Sequence, residues 1–305
     1  MAGLWRQCAS FPLCHRRSPK PAAWPLVRRP SKKMSFSCPM HPGAVTCLHF
    51  KRLIMIKAAL VTGGAQRIGR RIVERLVDEG YAVAIHCRRS TDEADAMVAR
   101  IRERGGRAAV VQADLADGDA VERIVPAAVR DVGQLTLLVN NASEFEPDEV
   151  ETLSQDRWDR HFAVNLRAPA FLARDFAHQL PTDGHGCIVN IVDQRVWKLT
   201  PQFFSYTLTK AALFTATQTM AQALAPRIRV NAIGPGPTLS NVRQGDEDFS
   251  KQSEAVLLGH GGTPDEIADA VLYLAKARSV TGQMIAVDGG QHLAWETPDV
   301  AGIKE

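Results

Sequence analysis

Tyr206 and Lys210 stand four residues apart in Tyr206-Thr-Leu-Thr-Lys210. On a helix that spacing puts a phenol and an ammonium on one face. The ammonium favours the phenolate, so the expectation is a lowered tyrosine pKa and proton transfer near neutral pH. Such a pair alone arises by chance in many chains, and its meaning depends on what precedes it. Thr62-Gly-Gly-Ala-Gln-Arg-Ile-Gly69 contains Gly63 and Gly69, which allow a tight turn and close approach of a pyrophosphate to a helix N-terminus. Arg67 occupies the place of the middle glycine of that pattern. Arg88-Arg89-Ser90 lies where an acidic residue would bind the ribose 2′-hydroxyl of NAD. Two arginines and a serine suit a 2′-phosphate, hence NADP, although a solvated basic turn has the same composition. Asp114 fits contact with an adenine amino group or a helix cap. Asn140-Asn141-Ala142-Ser143 fits a small, polar cofactor channel or an ordinary Asn-rich turn.

Each group follows an apolar run. Residues 58–61, 81–87, 108–112 and 135–139 are predicted strands, as are 187–192, 229–233 and 284–287. They are continuously apolar rather than alternating, which is the mark of strands covered on both faces. Helices fill the spaces. The first runs from the Gly-rich loop through Ile72, Val73, Leu76 and Val77 to a stop at Gly80. Ser90 and Glu93 predict a capping box opening a helix to about Arg104. A helix over about 118–130 is weakened by Pro126, and longer ones cover about 156–178, 204–224 and 264–276. Thr263-Pro264-Asp265-Glu266 opens the last with a cap, a proline and a box partner. Strand and helix alternate without repeat or linker after residue 55. The expected fold is α/β, a single Rossmann-type doubly wound domain with a mostly parallel seven-stranded sheet. Ligands bind at the carboxyl ends of such strands, which is where the groups above fall.

Composition narrows the function classes. The 305 residues are 45% hydrophobic and 23% charged, as in a soluble globular protein. No apolar run approaches the ~18 residues of a membrane span. The net charge of +4 is misleading: residues 1–54 hold ten of the 37 Lys and Arg and none of the 33 Asp and Glu. The remainder has 27 basic and 33 acidic residues, so a basic nucleic-acid face is not supported. Residues 1–54 also hold seven of the 17 prolines and four of the six cysteines, and read as a disordered leader. An organellar transit peptide and a functional basic arm are alternatives. The preferred reading is translation from Met55. Cys87 and Cys187 make no disulfide framework and no CxxC pair occurs, so no metal is expected and a reducing, cytoplasmic compartment is.

Taken in order, TGxxxRxG, Asp114-Leu115, NNA, Asn165, YxxxK, Pro235-Gly236 and Asp288-Gly289-Gly290 resemble a short-chain dehydrogenase/reductase over about residues 56–295. Within that family three features are similar to the pteridine and dihydromonapterin reductases. Arg67 replaces a glycine, Ser143 ends the NNA run in place of glycine, and Asp193 stands 13 residues before Tyr206, where a serine is usual. The resemblance implies a reductase domain over 55–296, a C-terminal tail over 297–305 and a homotetramer. It implies NADPH contacts from Gly63, Arg67, Ile68, Gly69, Arg88, Arg89, Ser90, Asp114, Leu115, Asn141, Ala142, Ser143, Tyr206, Lys210, Pro235 and Gly236. Arg67 is expected between the cofactor pyrophosphate and a pterin, donating to both, with Phe145 stacked on the pterin and Ser143, Asp193 and Tyr206 around it. Asp193, Tyr206, Lys210 and Asn165 are the expected catalytic set, Asn165 binding a relay water. The implied reaction is NADPH-dependent reduction of dihydromonapterin, dihydrobiopterin or dihydrofolate to the tetrahydro form. The alternatives are a 3-oxoacyl-type carbonyl reductase and a NADPH-sensing binding protein on the same fold. Residues 238–260 follow no pattern that identifies the pterin, and Gly259-His-Gly-Gly262 reads only as mobile.

Overall fold

The computed structural model describes residues 57–240, 245–297 and 301. The predicted leader lies outside them, as does the predicted tail apart from Thr297 and Ala301. Seven strands form one sheet: β1 (Ala58–Val61), β2 (Ala82–Cys87), β3 (Ala108–Gln112), β4 (Leu135–Asn140), β5 (Gly186–Ile191), β6 (Ile228–Pro235) and β7 (Met284–Val287). Their order is β3-β2-β1-β4-β5-β6-β7 and every pairing is parallel. The order in which successive strands are added reverses between β1 and β4, which opens a crevice beyond their carboxyl ends.

The apolar strand pattern has a direct structural reason. Side chains alternate between faces, so Ala59, Val61, Val83 and Ile85 enter one core and Ala58, Leu60 and Ala84 the other. The first core is covered by α1 (Arg67–Asp78), α2 (Thr91–Glu103) and α8 (Pro264–Lys276), through Ile72, Leu76, Met97, Ile267 and Val271. The second is covered by α3 (Gly118–Val132), α5 (Ala168–Gln179) and α6 (Phe204–Leu224), through Ile124, Ala128, Leu172, Phe176 and Ala221.

Most helix ends follow their sequence signals. Gly80, at φ 81°, donates to the Val77 carbonyl at 2.9 Å while Tyr81 donates to Leu76 at 3.0 Å, a Schellman stop. Thr263 and Glu266 form the expected box, with backbone-to-side-chain distances of 3.2 and 2.8 Å. The Ser90–Glu93 box does not form. Ser90 has ψ 54°, outside the extended region that aims an N-cap hydroxyl at the helix, and the Glu93 carboxylate accepts from Gln66 at 2.7 Å. Helix α3 continues through Pro126 to Val132 because Ile124, Val125 and Ala128 bury its inner face.

Two departures matter for function. The helix expected over 156–178 is divided: α4 (Gln155–Phe162), a π turn at Ala163–Arg167, then α5. Pro169 has no N–H for the carbonyl four residues earlier, so a wider turn costs little there, and it carries Asn165 inward to 1% exposure. The stretch after β6 contains α7 (Asp246–Glu254), whose acidic first turn Asp246-Glu247-Asp248 suits a helix N-terminus. Of the glycines following it, Gly261 and Gly262 sit in close packing. A Cβ on Gly261 would overlap the Pro237 carbonyl, and Gly261 donates to Ser253 Oγ at 2.8 Å.

Candidate active site

A cavity of about 500 Å³ lies beyond the carboxyl ends of β1, β2 and β4. Its floor is the β1–α1 loop. Gly63 has φ 61°, and a Cβ there would meet Ala142 Cα at 3.0 Å; one on Gly69 would overlap the Gly63 carbonyl. Asn141 ties this loop to the one after β4, donating from Nδ2 to the Thr62 and Gly63 carbonyls at 2.8 and 3.1 Å. Its own N–H and that of Ala142 donate to Thr62 Oγ1 at 2.9 and 3.0 Å. His86, which the sequence did not mark, is a third strap. Its Nδ1 accepts the Gly63 N–H at 3.2 Å and its Nε2 meets the Ala113 carbonyl at 3.2 Å. Burial pushes its pKa down to about 4, so it is neutral.

The cavity suits an anionic dinucleotide. Helix α1 opens on it with no side-chain cap and no acid in its first turn, which leaves backbone N–H groups facing the space. Arg88, Arg89 and Ser90 line one end, and Ile68, Asp114 and Leu115 line it too. Arg88 donates to Glu144 at 3.2 Å, Arg160 Nε meets the same carboxylate at 3.2 Å, and Arg160 also reaches Asp114 at 3.5 Å. Neither Glu144 nor Arg160 was expected from sequence, because the ion pairs join α4 to two strand-end loops. Arg67 has φ 52°, the left-handed region, which explains why glycine is usual at this position. Its guanidinium donates to the Ser240 and Leu239 carbonyls at 3.0 and 3.3 Å.

A smaller cavity of about 160 Å³ adjoins, with Phe145 lining both. Asp193, Tyr206, Leu239 and Phe249 line it, and Pro235 and Gly236 lie here rather than along the larger cavity. Tyr206 is carried inward because residues 206, 210, 213, 217 and 221 form the buried face of α6. Its hydroxyl donates to Asp193 Oδ2 at 2.8 Å. Arg195, also unmarked by sequence, donates to Asp193 from its backbone N–H at 2.8 Å and from Nη1 at 3.2 Å. Its guanidinium carbon sits 5.7 Å from the Phe145 ring and 5.3 Å from Phe203. Phe145 stacks on Phe203 at 4.2 Å and stands edge-on to Tyr206 at 4.6 Å.

One expectation is corrected. Tyr206 is not made acidic. Its pKa is raised well above the ordinary phenol, first by burial and then by the Asp193 carboxylate that accepts its hydrogen bond. Lys210 directs Nζ to the Ile191 carbonyl at 2.9 Å, 5.6 Å from the tyrosine ring centre, and burial lowers its own pKa to about 8. The Asn165 side chain is fully hydrogen-bonded within the protein. Its Oδ1 accepts from Glu144 N at 2.8 Å and Ser143 Oγ at 3.3 Å, and its Nδ2 donates to the Glu144 carbonyl and Thr209 Oγ1 at 2.9 and 3.2 Å. Both lone pairs and one N–H clamp the loop that carries Ser143 and Phe145, and the other N–H ties it to α6.

A family description for enoyl-(acyl carrier protein) reductases matches residues 63–292, spanning the whole of this geometry. The chain belongs to the short-chain dehydrogenase/reductase family. Among solved short-chain reductases it is similar to FolM alternative dihydrofolate reductase 1 from Brucella canis, complexed with NADP. Identity is 57% and the TM-score 0.78, over 80% of this chain and 97% of that one. The Brucella suis protein, also with NADP, gives the same identity and TM-score. The 3-oxoacyl-[acyl-carrier-protein] reductase FabG of Staphylococcus epidermidis is 34% identical over 78% of this chain and all of the relative. The Gly-rich loop lines the larger cavity and Tyr206 the smaller one, with Lys210 Nζ 5.6 Å from the tyrosine ring centre. Asp193 takes the place of the usual serine as the hydrogen-bond partner of the tyrosine.

Proposed function

We propose that this short-chain reductase uses NADPH to reduce a dihydropterin, such as dihydromonapterin, dihydrobiopterin or dihydrofolate, to its tetrahydro form. The Asp193–Tyr206 contact beneath Phe145 carries the reading. A ketone needs a hydroxyl to hold its oxygen beside the tyrosine, whereas a ring C=N bond needs a proton delivered to nitrogen, which a carboxylate–phenol pair can relay. The likeness to the NADP-bound FolM proteins supports it.

When bound, NADPH supplies the hydride. Arg88, Arg89 and Ser90 would hold the 2′-phosphate, and the open N-terminus of α1 would receive the diphosphate. Phe145 offers its ring to a flat heterocycle. Tyr206, kept protonated by burial and by Asp193, delivers its proton to the ring nitrogen, and Asp193 relays a replacement from the cavity. Lys210 holds a positive charge beneath the tyrosine as the phenolate forms. A carbonyl reductase is the second reading, favoured by the FabG relatives at 34% identity. Steady-state NADPH oxidation with the three dihydropterins and one 3-oxoacyl thioester separates the two. Turnover of a dihydropterin is expected; turnover of the thioester alone would overturn the proposal.

Cofactor choice gives an independent prediction. Arg89→Ala removes a charged contact worth ~1.5–3 kcal/mol, so NADPH affinity should fall roughly tenfold or more while NADH affinity is spared. Titration calorimetry with both cofactors checks it, and equal losses would remove the 2′-phosphate assignment.

A further inference from the structure

Behind Tyr206 lies a buried polar chain that the reaction above does not use. Helix α6 begins after Phe203, which is left-handed at φ 58° and offers no side-chain cap. The cap comes from Asp148, in the loop after β4. Its carbonyl accepts the Phe204 N–H at 3.1 Å, and its Oδ1 accepts the Ser205 N–H at 3.1 Å. Oδ2 accepts the Ser205 hydroxyl in a short hydrogen bond. Ser205 Oγ in turn meets His161 Nδ1 at 2.6 Å, and His161 Nε2 accepts the Glu146 N–H at 3.1 Å. Asp148, His161 and Ser205 are 3%, 0% and 0% exposed.

The donor at every link is fixed. Glu146 N–H can only donate, so His161 Nε2 carries no hydrogen. The ring is then neutral with its hydrogen on Nδ1, which donates to Ser205 Oγ. Ser205 must give its own hydrogen to Asp148, which accepts from both Ser205 groups only as a carboxylate. Burial pushes the His161 pKa below its ordinary value, consistent with a neutral ring. The chain closes the loop bearing Phe145 onto the helix turn bearing Tyr206, whose ring lies 6.4 Å from the imidazole. We propose that Asp148, Ser205 and His161 are positioning residues, a polarity-locked strap that sets Phe145 and Tyr206 at the spacing needed for proton delivery. This rests on the proposed role of Tyr206, though the strap itself can be tested without turnover.

Asp148→Asn is the decisive variant. As a helix cap Asn equals Asp, so a capping role alone predicts little change. In the strap, either orientation of the amide sets its NH2 against a Ser205 group that must donate. Three readouts on the full-length chain are needed: NADPH-dependent turnover of dihydrobiopterin, calorimetric NADPH binding, and nitrogen NMR of isotope-labelled histidine, with His161 assigned from His161→Gln. Expected is a fall in kcat of about ten- to hundredfold from misplacement of reacting groups. NADPH binding should hold, because Asn165 clamps Glu144 separately. The wild-type His161 signal should be the neutral Nδ1–H tautomer, lost in Asp148→Asn. Should that variant not fold, Ser205→Ala, which removes the link between His161 and Asp148, carries the turnover and NADPH-binding readouts with the same expectation. Wild-type kcat with an unchanged tautomer in the variant would overturn the proposal. So would a charged or Nε2–H ring in the wild type at neutral pH, or a loss of NADPH affinity equal to the loss of turnover. If the wild type reduces no dihydropterin, the functional reading falls, and the tautomer alone decides whether the strap exists.

Discussion

Asp193→Asn should lower kcat for a dihydropterin by about 10²–10⁴-fold, the usual contribution of an acid–base group, with NADPH affinity near wild type. Asp193 has two jobs in the structure. One carboxylate oxygen accepts the Arg195 N–H at the start of a short helical turn, and the other accepts the Tyr206 hydroxyl. Asparagine can do the first. It has no titrating proton for the second, and it can set an N–H against the phenol that must donate. Asp193→Ser restores the arrangement usual in the family; it should give at most slight ketone reduction and no recovery of pterin turnover. Steady-state NADPH oxidation measures all of this. A silent Asp193→Asn, together with a wild type that reduces ketones and no pterin, would return the chain to the carbonyl reductases.

Tyr206→Phe should remove turnover on the same scale of about 10²–10⁴-fold with either substrate class. The ring keeps its edge contact with Phe145 while only the hydroxyl is lost. NADPH binding measured by calorimetry should persist, and substantial residual turnover would move proton delivery to Asp193 alone. The pH profile follows from the same burial. Tyr206 stays protonated through the alkaline range, so it does not set the basic limb. Lys210, lowered to about 8, is charged below that value and neutral above it. Turnover should therefore decline as pH rises through about 8, and Lys210→Met should lower the plateau and abolish that limb. A decline appearing only above the ordinary phenol range would assign the limb to the tyrosine.

The fold was legible because its signals are local. Residues 58–61 are apolar at every position, as a doubly covered strand requires, and Gly80 and the Thr263–Glu266 box end and start helices by contacts within one turn. The exceptions have distant partners. Ser90 lost its box when Gln66, 27 residues away, took the Glu93 carboxylate. The π turn at Asn165 reflects a loop more than 20 residues earlier that occupies three of its four side-chain hydrogen-bonding positions, the fourth going to Thr209.

The order Gly-rich loop, Asn-Asn-Ala, Asp193, Tyr206, Lys210 by itself determined the family and which residues meet, because a parallel sheet delivers each strand-end loop to the same edge. What those residues do to one another was decided by tertiary structure. Spacing made Lys210 the group that would acidify Tyr206; burial and the Asp193 carboxylate hold the phenol protonated instead. Spacing gave no hint of Arg195 on Asp193, Glu144 on Arg88, or the strap from Asp148 to His161. Protonation state depends on desolvation and on charges within a few ångströms, and both are set by the packing of elements remote in sequence.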